Sequence, residues 1–140
     1  MVTYPIELTC IIDDDDMYVS LITKVIDFRK LSRNLLIFKN GREALDYFVL
    51  ALKKVEEKDI PQIILLDLNM PVMDGWQFLT ELSKHDFPAL KKLTLYIVSS
   101  SIDPADLERS KAFELVSDFL VKPIRLEDLE EVFKTQKQVS

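Results

Sequence analysis

A set of charged and hydroxyl side chains in this sequence stands directly after runs of apolar residues. Asp13 and Asp14 follow the run 6–12, Asp67 follows Ile63-Ile64-Leu65-Leu66, Ser99 follows the run 93–98, and Lys122 follows Phe119-Leu120-Val121. Asn69 lies two places beyond Asp67. A short continuous apolar run reads as a strand covered on both faces, as in a parallel sheet. Parallel strands bring their carboxyl ends to one edge, where open α/β sheets bind ligands. Three carboxylates gathered there repel one another, at about 1 kcal/mol per pair in water and about 4 kcal/mol at an effective dielectric near 20, for separations of about 4 Å. Lys122 offsets one charge. A hard divalent cation held by oxygens would offset two more, and Mg2+ suits one or two carboxylates, waters and a phosphate oxygen. A carboxylate nucleophile, a metal, an ammonium and a hydroxyl donor together compose a phosphoryl-transfer site.

The elements that must position these groups follow from periodicity. Residues 6–12 read as a first strand. The acids 13–16 can cap a helix, whose apolar positions Tyr18, Leu21, Ile22, Val25 and Phe28 carry it to about Arg29. Residues 35–38 form a second strand. Asn40 with Glu43 fits a capping box, and Ala44, Leu45, Phe48, Leu52 and Val55 line the second helix. The third strand spans 62–66, and Asp74 with Gln77 opens a third helix with Trp76, Leu79 and Leu82 on one face. A connector over 84–92 leads to the fourth strand, 93–98. Asp103-Pro104 starts a fourth helix, expected to run to about Glu114. Residues 118–121 form the fifth strand. The fifth helix buries Leu126, Leu129, Val132 and Phe133, and the tail from Gln136 is expected to fray. Five strands alternating with five helices predict an open α/β fold with right-handed crossovers, in one domain over residues 1–140 with no output domain.

Composition narrows the chemistry. The chain has 140 residues, 48% of them hydrophobic, and only two glycines, Gly41 and Gly75. Neither a Walker loop nor a G-x-G-x-x-G turn can be written with them. A net charge of −6 argues against nucleic-acid binding through a basic face. The single cysteine, Cys10, permits no internal disulfide and favours a reduced, cytoplasmic setting. No signal peptide is visible, and no apolar run approaches the roughly 20 residues of a membrane span.

Taken together, the strand with Asp13-Asp14, the segment Leu66-Asp67-Leu68-Asn69-Met70-Pro71 with Asp74-Gly75, Val98-Ser99-Ser100 and Phe119-Leu120-Val121-Lys122-Pro123 resemble the receiver domains of two-component response regulators, of the stand-alone CheY-like kind. The resemblance covers essentially the whole chain. It implies a flavodoxin-like doubly wound sheet of order 2-1-3-4-5 and Mg2+-dependent phosphorylation of one aspartate by a phosphohistidine donor, supplied by a sensor histidine kinase or a phosphotransfer protein. By position it implies Asp67 as phosphoacceptor. Asp14 would be a direct metal ligand, Asp13 one largely through water, and Asn69 a ligand through its backbone carbonyl. Ser99 would hydrogen-bond the phosphoryl group and Lys122 would pair with it, with a cis Lys122-Pro123 bond. Phe119 would follow Ser99 on activation, and Asn69 and Ser101 would tune hydrolysis. The protein would then signal to a protein target or relay phosphate through its own acceptor chemistry, without being an enzyme in the ordinary sense. Departures fall on the switching face: no glycine in 113–117, where many receivers end helix four, and Ser100 where alanine is common.

Plainer roles compete for several of these residues. Asp15 and Asp16 read as helix-start acids, Trp76 and Cys10 as packing, His85 as a loop residue, and Phe119 by default as a core aromatic. Two other functions also need weighing. A haloacid-dehalogenase-type phosphatase would place its nucleophile in Asp13-Asp14-Asp15, leaving Asp67 and Asn69-Met70-Pro71 without a role. A phosphorylation-independent adaptor would keep the fold and leave the site unused.

Overall fold

Alternating side chains on the strands divide the core between the two faces of one sheet. Cys10, Ile12, Ile64, Leu66, Leu95 and Ile97 pack on one face with Phe48, Phe78 and Leu79. Ile11, Ile63, Leu65 and Val98 pack on the other with Ile22, Ile26, Leu129 and Phe133. The computed structural model describes residues 3–54, 59–85, 88–100 and 103–134. Its elements are β1 (Ile6–Ile12), α1 (Asp16–Phe28), β2 (Ser32–Phe38), α2 (Gly41–Lys54), β3 (Ile63–Asp67), α3 (Gly75–Ser83), a short 3-10 helix (Pro88–Lys92), β4 (Thr94–Ser99), α4 (Pro104–Ser110), β5 (Val116–Val121) and α5 (Leu126–Lys134). The strands are parallel in the order β2-β1-β3-β4-β5, the doubly wound arrangement expected. α1 and α5 cover one face; α2 and α3 cover the other.

Caps and breakers set most boundaries. Asp15 accepts the Tyr18 N–H and opens α1, Asn40 accepts the Glu43 N–H before α2, and Asp74 and Gln77 form a complete capping box at α3. Asp103 caps α4 with proline in its first turn.

The boundaries of five elements differ from expectation, those of β2 and α4 the most. β2 begins at Ser32, three residues early, because the buried Ser32 hydroxyl accepts from Thr9 Oγ1 on β1 at 2.9 Å. α4 stops at Ser110 rather than near Glu114. Beyond it the N–H groups of Lys111, Ala112 and Phe113 bond back to Glu108, Arg109 and Ser110, tightening the chain so that the Phe113 ring reaches Trp76 at 6.0 Å. The turn needs no glycine, since among the described residues only Lys30 and Val72 have positive φ. β3 and β4 each start one residue late and end on Asp67 and Ser99, and β5 starts at Val116. Val55 and the tail from Gln136 lie outside the described residues.

Candidate functional site

The sheet delivers the expected residues to one edge. The β1–β2 ladder continues one bond past β1, where Asp13 donates its N–H to Phe38 O at 2.9 Å. Asp67 is the last residue of β3 and pairs with Val98, so Ser99, at the end of β4, is one step beyond it. Lys122 extends the neighbouring ladder by donating its N–H to Ser99 O at 2.8 Å, and the Lys122-Pro123 bond is cis, as the resemblance implied. Asp13, Asp67, Ser99 and Lys122 are thus held by backbone pairing at the last rung of a ladder or just past it.

Carboxylate oxygens of Asp13, Asp14 and Asp67 lie within 4.8 Å of one another. Asp13 and Asp67 are buried and Asp14 is exposed. Lys122 Nζ is 2.7 Å from Asp13 Oδ2 and 3.6 Å from Asp67 Oδ1, with its own side chain largely covered. Asp13 Oδ1 accepts the Asp15 N–H at 2.9 Å, so both of its oxygens are engaged. Burial pushes the Asp67 carboxyl up to about 6; Asp13 adds to this, and Lys122 and the Asn69 N–H work against it. Burial likewise raises Asp13, opposed first by its hydrogen bond from Lys122. Three carboxylates against one ammonium leave negative charge in excess. The donor set is all hard oxygen with one exposed member, which fits a divalent metal ion.

Both glycines of the chain press on the loop that follows Asp67. A Cβ on Gly75 would stand 2.5 Å from Asp67 O and 2.9 Å from Leu68 Cα, while the Gly75 N–H bonds Leu68 O at 3.0 Å. A Cβ on Gly41 would meet Met73 O at 2.8 Å. Between these clamps Val72 takes φ 70°, a left-handed conformation that a β-branched residue rarely adopts, and its side chain is exposed.

The remaining candidates are placed as follows. Ser99 is buried; Asn69 is exposed, with its N–H on Asp67. Phe119 is half-buried on β5 opposite Ile97, two rungs below the pairing of Ser99 with Val121, and packs toward the α3 face. Ser101 lies outside the described residues. Trp76 packs as expected and carries the Arg109 guanidinium 4.5 Å from its ring centroid. Cys10 is fully buried. Sequence reasoning missed Tyr18. It read as one more apolar residue of α1, yet Lys122 Nζ sits 4.4 Å from its ring centroid.

Comparison with known proteins agrees with this geometry. The family described as "Response regulator receiver domain" matches residues 9–134. Response regulator Rcp1 of Synechocystis sp. is 29% identical over 126 residues, covering 89% of this chain and 82% of that protein. A two component response regulator from Cytophaga hutchinsonii superposes with a TM-score of 0.79 at 27% identity, covering 91% of this chain and 94% of that one. The phosphorylated cyanobacterial phytochrome response regulator RcpA superposes with a TM-score of 0.69 at 26% identity, covering 91% and 89%.

Proposed function

This chain belongs to the response regulator receiver domain family, and from that membership we propose that Asp67 is its phosphoacceptor and that phosphorylation switches its binding to partner proteins or passes phosphate onward. The family is a signalling domain of two-component systems, and a phosphoacceptor role in signalling follows for this chain. The observation that carries the assignment to Asp67 is the asymmetry between the buried carboxylates. Asp13 has one oxygen on the Asp15 N–H and the other on Lys122, whereas the ammonium stands 3.6 Å from Asp67. Asp67 accepts the Asn69 N–H but stands beyond hydrogen-bond distance of the ammonium, so it keeps an oxygen for attack on phosphorus. The same asymmetry weighs against a phosphatase that uses Asp13 as nucleophile.

The metal expected is Mg2+, with Asp13, Asp14 and Asp67 as ligands and the Asn69 backbone carbonyl completing the protein's share. When bound, it would neutralise the carboxylates and the charge on the phosphoryl oxygens. Lys122 would turn from Asp13 toward a phosphoryl oxygen, and Ser99 would donate to another. The donor would be a phosphohistidine on a sensor kinase or phosphotransfer protein: Asp67 attacks phosphorus, the P–N bond breaks, and the histidine leaves with the electron pair. Ser99 and Phe119 would carry the change to the face formed by α4, β5 and α5, shifting a pre-existing equilibrium. Asn69 and Ser101 would set the rate of hydrolysis.

Backbone NMR with Mg2+ and a small phosphodonor tests this. Shifts running from Asp67 through Ser99 to Phe119 in the wild type, and absent in Asp67→Ala, are expected. Shifts confined to the β3–α3 loop, or unchanged in Asp67→Ala, would overturn the switch and favour a phosphorylation-independent adaptor.

A further inference from the structure

A closed circuit of contacts joins the first turn of α1 to the end of β5. Asp13 Oδ1 accepts the Asp15 N–H at 2.9 Å, and Asp15 Oδ1 accepts the Tyr18 N–H at 3.1 Å. The Tyr18 ring carries Lys122 Nζ 4.4 Å from its centroid, and the same Nζ returns to Asp13 Oδ2 at 2.7 Å. The first two bonds fix the backbone on which the ring is mounted. The ring then forms a wall against an ammonium that also faces Asp13 and Asp67.

We propose that Tyr18 is a positioning residue for phosphoryl transfer, its ring face holding the Lys122 ammonium in place between Asp13 and Asp67. The proposal rests on the reading of Asp67 as phosphoacceptor. A lysine is a point charge on a flexible stem. Held by carboxylates alone, it follows whichever oxygen carries more charge, and that balance changes when either carboxylate is protonated, ligated or phosphorylated. Attraction to a ring face depends on the ring's quadrupole and does not change with those events. Tyr18 thus gives Lys122 a contact that persists while its carboxylate partners change. The hydroxyl is not the working part: it is buried with no hydrogen-bond partner among the described residues. Asp15, which reads from sequence as a helix-start acid, sets the backbone of Tyr18 and belongs to the same device.

Tyr18→Phe keeps the ring and Tyr18→Leu removes it; Tyr18→Met replaces the latter if Leu does not fold. Phosphorylation of the full chain by acetyl phosphate with Mg2+ is followed by intact mass, and the Lys122 Hε protons by NMR. The Phe variant is expected to react within about twofold of wild type and to keep the upfield ring-current shift of Lys122. The Leu or Met variant is expected to lose that shift and to react on the order of tenfold more slowly at saturation, with half-saturating acetyl phosphate and Mg2+ unchanged. A ringless variant that reacts at the wild-type rate, or a Phe variant slowed as much as the ringless one, would overturn the role of Tyr18 alone. A wild type that takes no phosphoryl group would overturn the site reading and this proposal with it.

Discussion

The Lys122 ammonium is bonded to Asp13, at 2.7 Å, and stands off Asp67 at 3.6 Å. The one cation that β5 delivers to the cluster is therefore shared unequally. It satisfies Asp13 and leaves Asp67 only partly compensated. The raised affinity of Asp67 for a proton follows from burial with incomplete compensation, and the same condition makes the site receptive to a divalent cation.

Lys122→Met removes both the compensation and the competitor for Asp13. Divalent cation binding is expected to tighten several-fold, because the ligand charge is unchanged and the ammonium is gone. Phosphorylation by a small phosphodonor is expected to slow at least about tenfold, because a charge aimed at the phosphoryl group is lost. Calorimetric titration with Mg2+ and intact mass after phosphodonor treatment read the two effects separately.

Asp67 also fixes the sign of a pH dependence in chelated protein. Its folded value, about 6, lies above the roughly 3.9 of an unfolded aspartate, so between these values the folded state binds more protons. Stability therefore falls as pH rises from about 4 through about 6, by at most about 3 kcal/mol for this group. Asp13 is shifted the same way and adds to the slope. Urea unfolding midpoints with chelator are expected to be higher near pH 4.5 than near pH 7.5. Asp67→Asn removes most of the slope, and Mg2+ restores stability at neutral pH by binding the native state.

Gly75→Ala drives a Cβ into Asp67 O and Leu68 Cα, both backbone atoms that no rotamer change can move. A loss of about 1–3 kcal/mol is expected, the range for overpacking a tight site. Mg2+ affinity should weaken as well, because the displaced backbone carries the Asp67 carboxylate. Thermal melts with and without Mg2+ test both effects, and stability lost without any change in metal affinity would separate Gly75 from the site.

Val72→Gly relieves a left-handed β-branched residue at φ 70°. The strain relieved is about 1–2 kcal/mol, offset by the greater freedom of glycine in the unfolded chain. A net gain of up to about 1 kcal/mol in urea unfolding is expected.

Much of the site was legible because a parallel sheet converts sequence position into spatial position. An apolar run followed by Asp67 or by Asp13-Asp14 names a strand and its carboxyl edge together, and a shift of one residue in the start of β3 or β4 leaves the edge where it was. Boundaries were hidden where a tertiary partner decided them. Nothing apolar marks Ser32-Arg33-Asn34 as strand; the Thr9 hydroxyl on β1 does. Nothing in 110–114 marks the end of α4; the tilted contact of the Phe113 ring with Trp76 does. Tyr18 stayed hidden for the same reason, since its partner stands at the other end of the chain and helical spacing assigns such a residue to packing. The tight fit of Gly41 and Gly75 against the loop after β3 was likewise invisible, although their scarcity was plain.

The most direct measurement is the location of the phosphoryl group. The protein is treated with acetyl phosphate with and without Mg2+, the acyl phosphate is trapped by borohydride reduction, and the site is mapped in peptides by mass spectrometry. Modification at Asp67, dependent on Mg2+ and absent in Asp67→Ala, is the predicted result. Modification at Asp13 or Asp14, or labelling that persists undiminished in Asp67→Ala, would contradict it.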